Sequence, residues 1–395
     1  MRNGIKRTVM TRHLRPRALL LGAVLVLAQL FLGPSTVRTV TTESGVDCDR
    51  IWQTPEDDGT FYETNRTRID PRPGHGWPVG SAQSVGMDPA VLEAGLHRLG
   101  RERSVFSALV VRHGRLVAEG YFHGSRRDHS NNVHSASKSV LQALIGIAVR
   151  RGFIGSIDDP VRRYLPEYFA DAPAEARRIT LRHLLTMTAG WEWQEDETEY
   201  TVQRRRDWVK AIVERDLERE PGTAFTYSSG NTHLLSAVLQ RASGRSTCEF
   251  AQRYLLDPLG ITAEHWGRDP QGVYSGGYNL YLTPRELAKF GLLYLNRGRW
   301  QGRQIVPRET VAQSMRPVVR VGDGYSYAHG WWLRRIGGRA VPFAWGYGGQ
   351  YIYLLPAADV VVVVTENTRE GHENVDVDLR VFLEDYVLRS ARGRI

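Results

Sequence analysis

The chain has 395 residues, 42% of them hydrophobic and 10% aromatic, enough apolar material for a large core in two or three domains. Its formal net charge of +9 is concentrated at one end: Arg2, Lys6, Arg7, Arg12, Arg15 and Arg17 precede any acid, and without those six the balance is about +3. No basic stripe interleaves with aromatics, and Arg204-Arg205-Arg206 reads as a solvated helix face, so nucleic acid is not an expected partner.

The basic start leads into an apolar run from Ala18 to Leu32. A positive region before a short apolar one reads as a signal peptide over residues 1–33. No A-x-A cleavage site follows, so an uncleaved signal anchor is the alternative. Either reading predicts export to the periplasm, cell envelope or medium, with attachment to the cytoplasmic membrane if the segment is retained. Residues 34–80 are polar and carry Pro55, Pro71, Pro73 and Pro78, the pattern of an extended linker. Cys48 lies there. An exported chain permits a disulfide between Cys48 and Cys248, the only cysteines; two unpaired thiols are the other reading.

Residues 81–395 read as the functional domain. Asp88-Pro89 sets the cap and first position of a helix through about Gly100. Val105–Val111 and Leu116–Phe122, around Arg112-His113-Gly114-Arg115, predict a β-hairpin. An apolar helix follows over about 138–150. Residues 156–315 are mainly helical in pattern, with helices predicted at 179–187, 204–216, 231–242, 284–297 and 307–315. Strands return at 328–333, 340–345, 351–355 and 360–365, and a closing helix is predicted over 375–390. Strands from both chain ends flanking a helical middle predict an α+β fold of two lobes. A mixed antiparallel sheet backed by helices would carry an inserted all-helical lobe, about 156–315, with a cleft between them.

Ser135-Ala136-Ser137-Lys138 opens the apolar helix. Residues i and i+3 share a helix face, so Ser135 and Lys138 are neighbours. A desolvated lysine loses part of its preference for charge and, as a neutral amine, can take a hydroxyl proton. Lysine is rare in this chain, occurring only at positions 6, 138, 210 and 289, whereas arginine, which cannot be deprotonated, is used elsewhere. The plainer alternative is a capping serine beside a surface lysine. A third proton-handling group is needed for a leaving group. Tyr227 is the candidate, on a turn before a helix at about 231–240, where the Lys138 ammonium would lower its pKa; a packed tyrosine is the alternative. Trp345-Gly346-Tyr347-Gly348-Gly349-Gln350-Tyr351 places glycines at a strand start. A backbone N–H there, with that of Ser135, can face a developing oxyanion, or the glycines can mark a bulge or tight turn.

Ser135-x-x-Lys138, Tyr227-Ser228-Ser229 and Tyr347-Gly348-Gly349, in that order, resemble the serine β-lactamase and penicillin-binding-protein superfamily. Ser156-Ile157-Asp158-Asp159-Pro160, Tyr164-Leu165-Pro166, the stretch Leu181–Gly190 and the stretch Tyr281–Ala288 also resemble it, over about residues 80–390. The likeness is to the class C-like branch, with its esterases, D-aminopeptidase-like enzymes and 6-aminohexanoate-dimer hydrolases. That resemblance implies Ser135 as nucleophile, Lys138 as base, Tyr227 as proton relay, and an oxyanion hole from the backbone of Ser135 and Gln350. It implies no cofactor.

Two elements depart from the family pattern. Ser229 stands where true β-lactamases have an amide-binding asparagine, with Asn231 two residues on. Tyr347 stands where a lysine anchors substrate carboxylates. Carboxylic esters or small amides are therefore expected over β-lactams and cell-wall peptides, and a non-catalytic binding or sensor protein of the envelope is the alternative of another class. Trp191 and the acids that follow it (Glu192, Glu195, Asp196, Glu197) are expected to border the cleft, favouring an amine-bearing or apolar substrate, or to form a solvated acidic loop. Tyr325, Tyr327, His329, Trp331 and Trp332 are read as pocket lining or sheet core. No G-x-S-x-G elbow, H-E-x-x-H spacing or phosphate-binding glycine loop is present.

Overall fold

The valine run Val360–Val364 explains the architecture. Every one of these side chains is buried, and they divide by alternation. Val361 and Val363 join one hydrophobic cluster, while Val360, Val362 and Val364 join another. A strand buried on both faces must be central in its sheet and covered by helices on each side. In the computed structural model, which describes residues 77–322, 324–367 and 379–392, that is its place.

Eight strands form the main sheet: β1 (Val105–Arg112), β2 (Arg115–Tyr121), β3 (Val319–Gly322), β4 (Tyr325–Tyr327), β5 (Trp332–Ile336), β6 (Arg339–Gly346), β7 (Gln350–Leu355) and β8 (Val360–Glu366). Their order is β2-β1-β8-β7-β6-β5-β4-β3, antiparallel throughout, so the two chain ends meet where β1 pairs with β8.

One face packs on α1 (Pro89–Leu99), through Leu92, Leu96 and Leu99, and on the closing helix (residues 379–392), through Phe382, Leu383 and Val387. Asp88 caps α1 as its sequence predicts, accepting from the backbone N–H of Ala90 at 2.9 Å. The other face receives α2 (Ser137–Arg150) and α8 (Pro284–Leu295). Gly291 brings α8 against the sheet: a Cβ there would lie 2.6 Å from Val361 and 2.7 Å from Ile352. Between α2 and α8 the chain is largely helical, with α3 (Leu181–Leu185), α4 (Glu195–Gln203), α5 (Trp208–Val213), α6 (Ser229–Ser243) and α7 (residues 247–259). α9 (Arg308–Ser314) follows α8.

Two expectations change. The strand expected at 328–333 is mostly a turn: residues 328–331 join β4 to β5, with Ala328 N–H closing on Trp331 O at 2.8 Å, and only Trp332 and Leu333 belong to a strand. Gly330, at φ +69°, lies so close to α2 that a Cβ would sit 2.9 Å from Gln142, and its carbonyl accepts from Ser139 Oγ at 2.7 Å. That contact with α2 takes these residues out of the ladder. The segment from Glu195 is a helix rather than a loop. Its first turn carries Glu195, Asp196 and Glu197, charges that suit a helix N-terminus. Cys248 is disulfide-bonded and buried. The expected signal segment, most of the linker and Cys48 lie outside the described residues.

Candidate active site

Ser135 does not cap α2. It sits in the 3-10 turn His134–Ala136 that leads into the helix, and no side chain caps the N-terminus of α2. His134 is held at φ +44°, a strained value for a non-glycine residue, with its N–H given to Asn132 Oδ1 at 2.9 Å. The turn leaves Ser135 half-buried at the floor of a cleft of about 1530 Å³.

Lys138, one turn on, is 2% exposed, a burial that lysine tolerates only with its nitrogen satisfied. Its Nζ lies 2.9 Å from Ser135 Oγ, 2.8 Å from Ser229 Oγ and 3.1 Å from Gly277 O. Burial pulls the Lys138 pKa below its ordinary 10.5, with the Glu195 and Glu199 carboxylates pushing back. A Cβ on Gly277 would stand 3.0 Å from Ser229 Oγ and 3.1 Å from Lys138 Nζ, so glycine gives the carbonyl its approach.

Tyr227 is half-buried in the cleft wall, its hydroxyl in hydrogen-bond contact with Ser135. Lys138 Nζ lies 4.9 Å from the centre of its ring. The expected lowering of the Tyr227 pKa does not occur. Burial raises it far above 10.0, Glu195 and Glu199 add to the rise, and contacts with Ser135 and Trp332 offset only part. The cation faces the ring, while the oxygen is desolvated. Tyr227 is thus a neutral phenol, able to give a proton.

The Tyr347-Gly348-Gly349 segment is the turn between β6 and β7. Gly348 and Gly349 have φ of +69° and +92°, and a Cβ on Gly349 would lie 2.2 Å from the Glu366 carboxylate. Tyr347 is 64% exposed on the rim and meets His134 edge-on at 5.6 Å. The Gln350 side chain is buried, donating to Glu366 O at 2.7 Å, so only its backbone is available to a ligand.

Trp191 is a correction. It is buried at 3% exposure in the core, its backbone bridged to Leu217, and it is not among the residues lining the cleft. The aromatic wall is instead Phe225, Trp332, Trp345 and Tyr351. Of the other aromatic candidates, Tyr327, His329 and Trp331 are core. Asn231 points away, its amide against Met187 Sδ at 3.7 Å.

The opposite wall is α4, a feature its sequence marked only by its acids. Glu195 turns inward: its carboxylate accepts from Ser229 Oγ, from Ser229 N–H at 2.9 Å and from Trp193 Nε1 at 2.7 Å. Glu195 Oε1 lies 3.9 Å from Lys138 Nζ. Glu199, one turn along, is raised to about 7 by burial and by Glu195. Asn279, also unpredicted, lines the cleft and accepts from Asn132 Nδ2 at 2.9 Å.

The likeness to known proteins follows this layout. A 6-aminohexanoate-dimer hydrolase of Paenarthrobacter ureafaciens is 26% identical over 283 residues, 65% of this chain and 70% of its own. An uncharacterized protein of Alkalihalophilus pseudofirmus is 26% identical over 235 residues, 51% of this chain, and the match spans only 62% of that relative's length. The fold also matches the solved structure of EstCE1, a hydrolase with promiscuous acyltransferase activity, with a TM-score of 0.63 at 18% identity, over 74% of this chain and 98% of that one. Residues 90–384 match the Beta-lactamase family, a span that covers most of the chain and includes every residue of the site just described; the chain belongs to the Beta-lactamase family, the group of serine hydrolases that its motifs resemble.

Proposed function

We propose that this protein is an exported serine hydrolase that cleaves carboxylic esters or small amides through an acyl-enzyme on Ser135. One observation carries the reading: a buried amine, depressed in basicity, lies 2.9 Å from a half-buried hydroxyl at the floor of an open cleft. Ser135 Oγ attacks the carbonyl carbon while its proton passes to Lys138 Nζ. The backbone N–H groups of Ser135 and Gln350 hold the oxyanion. Tyr227 protonates the leaving group and is reprotonated from Lys138, and water then releases the acid.

The lining supports the substrate class. Among the described residues the cleft wall carries Glu195, Asp196 and Glu199 but no arginine or lysine, and Tyr347 occupies the rim. A substrate carboxylate would meet no positive charge there, so a β-lactam or D-alanyl peptide is disfavoured. Neutral or amine-bearing substrates with an apolar acyl group suit the acids and the aromatic wall.

A fluorophosphonate probe should label the native protein and leave Ser135→Ala unlabelled; labelling that survives the substitution refutes the assignment. The alternative, a non-catalytic envelope sensor, would show neither burst nor turnover on p-nitrophenyl esters of any chain length.

A further inference from the structure

Lys138 Nζ has three polar neighbours, and two of them are constrained. Gly277 O can only accept, so it takes one N–H. Ser229 Oγ gives its own proton to the Glu195 carboxylate, with Glu199 also in hydrogen-bond contact with it, so toward Lys138 it accepts as well. As an ammonium, Lys138 donates to all three neighbours. As a neutral amine it has two N–H groups and one lone pair. Both N–H groups are already claimed, and the lone pair is left facing the third neighbour, Ser135 Oγ, at 2.9 Å.

We propose that Glu195 is a positioning residue: acting through Ser229, it directs the hydrogen bonds of Lys138 so that the amine's lone pair meets the Ser135 hydroxyl. The inference rests on Ser135 as nucleophile. The resulting chain runs one way, from Ser135 O–H to Lys138, from Lys138 N–H to Ser229, and from Ser229 O–H to Glu195. The proton moved in acylation travels only from Ser135 Oγ to Lys138 Nζ; Ser229 and Glu195 keep theirs. This gives Ser229 a use at the position where other members carry an asparagine. Gln at 195 could present its amide N–H to Ser229. Ser229 would then donate toward Lys138, occupy the lone pair, and turn a lysine N–H toward Ser135.

The test is the burst of p-nitrophenyl ester acylation in the full chain. Glu195→Gln should slow acylation on the order of 100-fold, the scale of a misdirected proton transfer, with KM nearly unchanged. Ser229→Ala should slow it comparably. The double variant should be no slower than Ser229→Ala alone, because Glu195 acts only through that hydroxyl. Glu195 also accepts from Ser229 N–H at the start of α6, a capping contact that Ser229→Ala leaves in place; its loss in Glu195→Gln is read as a lower thermal midpoint, separately from the burst. Acylation by Glu195→Gln within threefold of native, or multiplicative losses in the double variant, overturns the proposal. If Glu195→Gln does not fold, Ser229→Ala decides alone, with a loss under threefold overturning it. Ser135→Ala run in parallel separates the two readings: turnover there removes the nucleophile itself, whereas a dead Ser135→Ala beside an active Glu195→Gln removes only Glu195.

Discussion

At the scale of the residue, the site turns on how far burial outweighs nearby charge. Lys138 is pulled below its ordinary 10.5 by desolvation, against two carboxylates that favour its charged form. The active form of a base is the neutral one, so the acylation rate should rise with pH through the depressed Lys138 value and then level off. The profile of kcat/KM against pH measures this, and the inflection of its rising limb should lie below 10.5. Arginine keeps the charge but cannot give up its proton at any working pH. Lys138→Arg should therefore lose about 100-fold or more of the acylation burst while still binding substrate. Of this, the sequence showed the Ser135–Lys138 pair plainly, because spacing on a helix is a local property. The direction of the Tyr227 shift was not legible. It depends on whether the cation faces the phenol oxygen or the ring, and on how deeply the oxygen lies, both of which are set by β5 and α6 from elsewhere in the chain.

At the scale of the element, the framework reads well where its pattern is local and poorly where a neighbour decides. The β1–β2 hairpin, the capped α1 and the valines of β8 carry their own signals. Helix α4 does not: only Thr198 and Val202 are buried along it, too few for an apolar stripe, so its acids resembled a solvated loop. The strand broken at Gly330 failed for the converse reason, since the approach of α2 overrides its strand-like composition. That approach gives a test. α2, which holds Lys138, also meets α9 closely at Gly146, where a Cβ would fall 2.2 Å from Thr310 Cγ2. Gly146→Ala should destabilise the protein by about 1–3 kcal/mol through overpacking, read as a lower urea midpoint at unchanged slope. If the midpoint is unmoved, the two helices are less tightly packed than this distance requires.

At the scale of the molecule, one carboxylate joins the hairpin edge of the sheet to the helical side. Glu119 on β2 is 1% exposed and accepts from Arg285 Nη2 at 2.7 Å and Nε at 2.9 Å, from Arg127 Nη2 at 2.9 Å and from Tyr121 OH at 2.8 Å. Arg285 lies in the first turn of α8, so this cluster fixes α8 to the β2 edge of the sheet. No sequence pattern announced the pairing: the partners are 166 positions apart, and although Arg285 lies in a family-like stretch, nothing there points to Glu119. Burial alone would raise the Glu119 pKa, but the two arginines and Tyr121 outweigh it and the net value falls below the ordinary 4.5. A carboxylate depressed in the fold stabilises it fully above the unfolded value, near 4.5, and that contribution is lost as pH falls through the folded value. Glu119→Gln removes the charge and leaves Arg285 buried against a neutral amide. Unfolding at neutral pH should then cost about 3–5 kcal/mol less than in the native protein. The difference should narrow as pH drops below 4.5, because the native carboxylate is then protonated too. Urea unfolding of both proteins across that range measures it, and a gap that stays constant with pH would mean that the charge of Glu119 does not hold the sheet to α8.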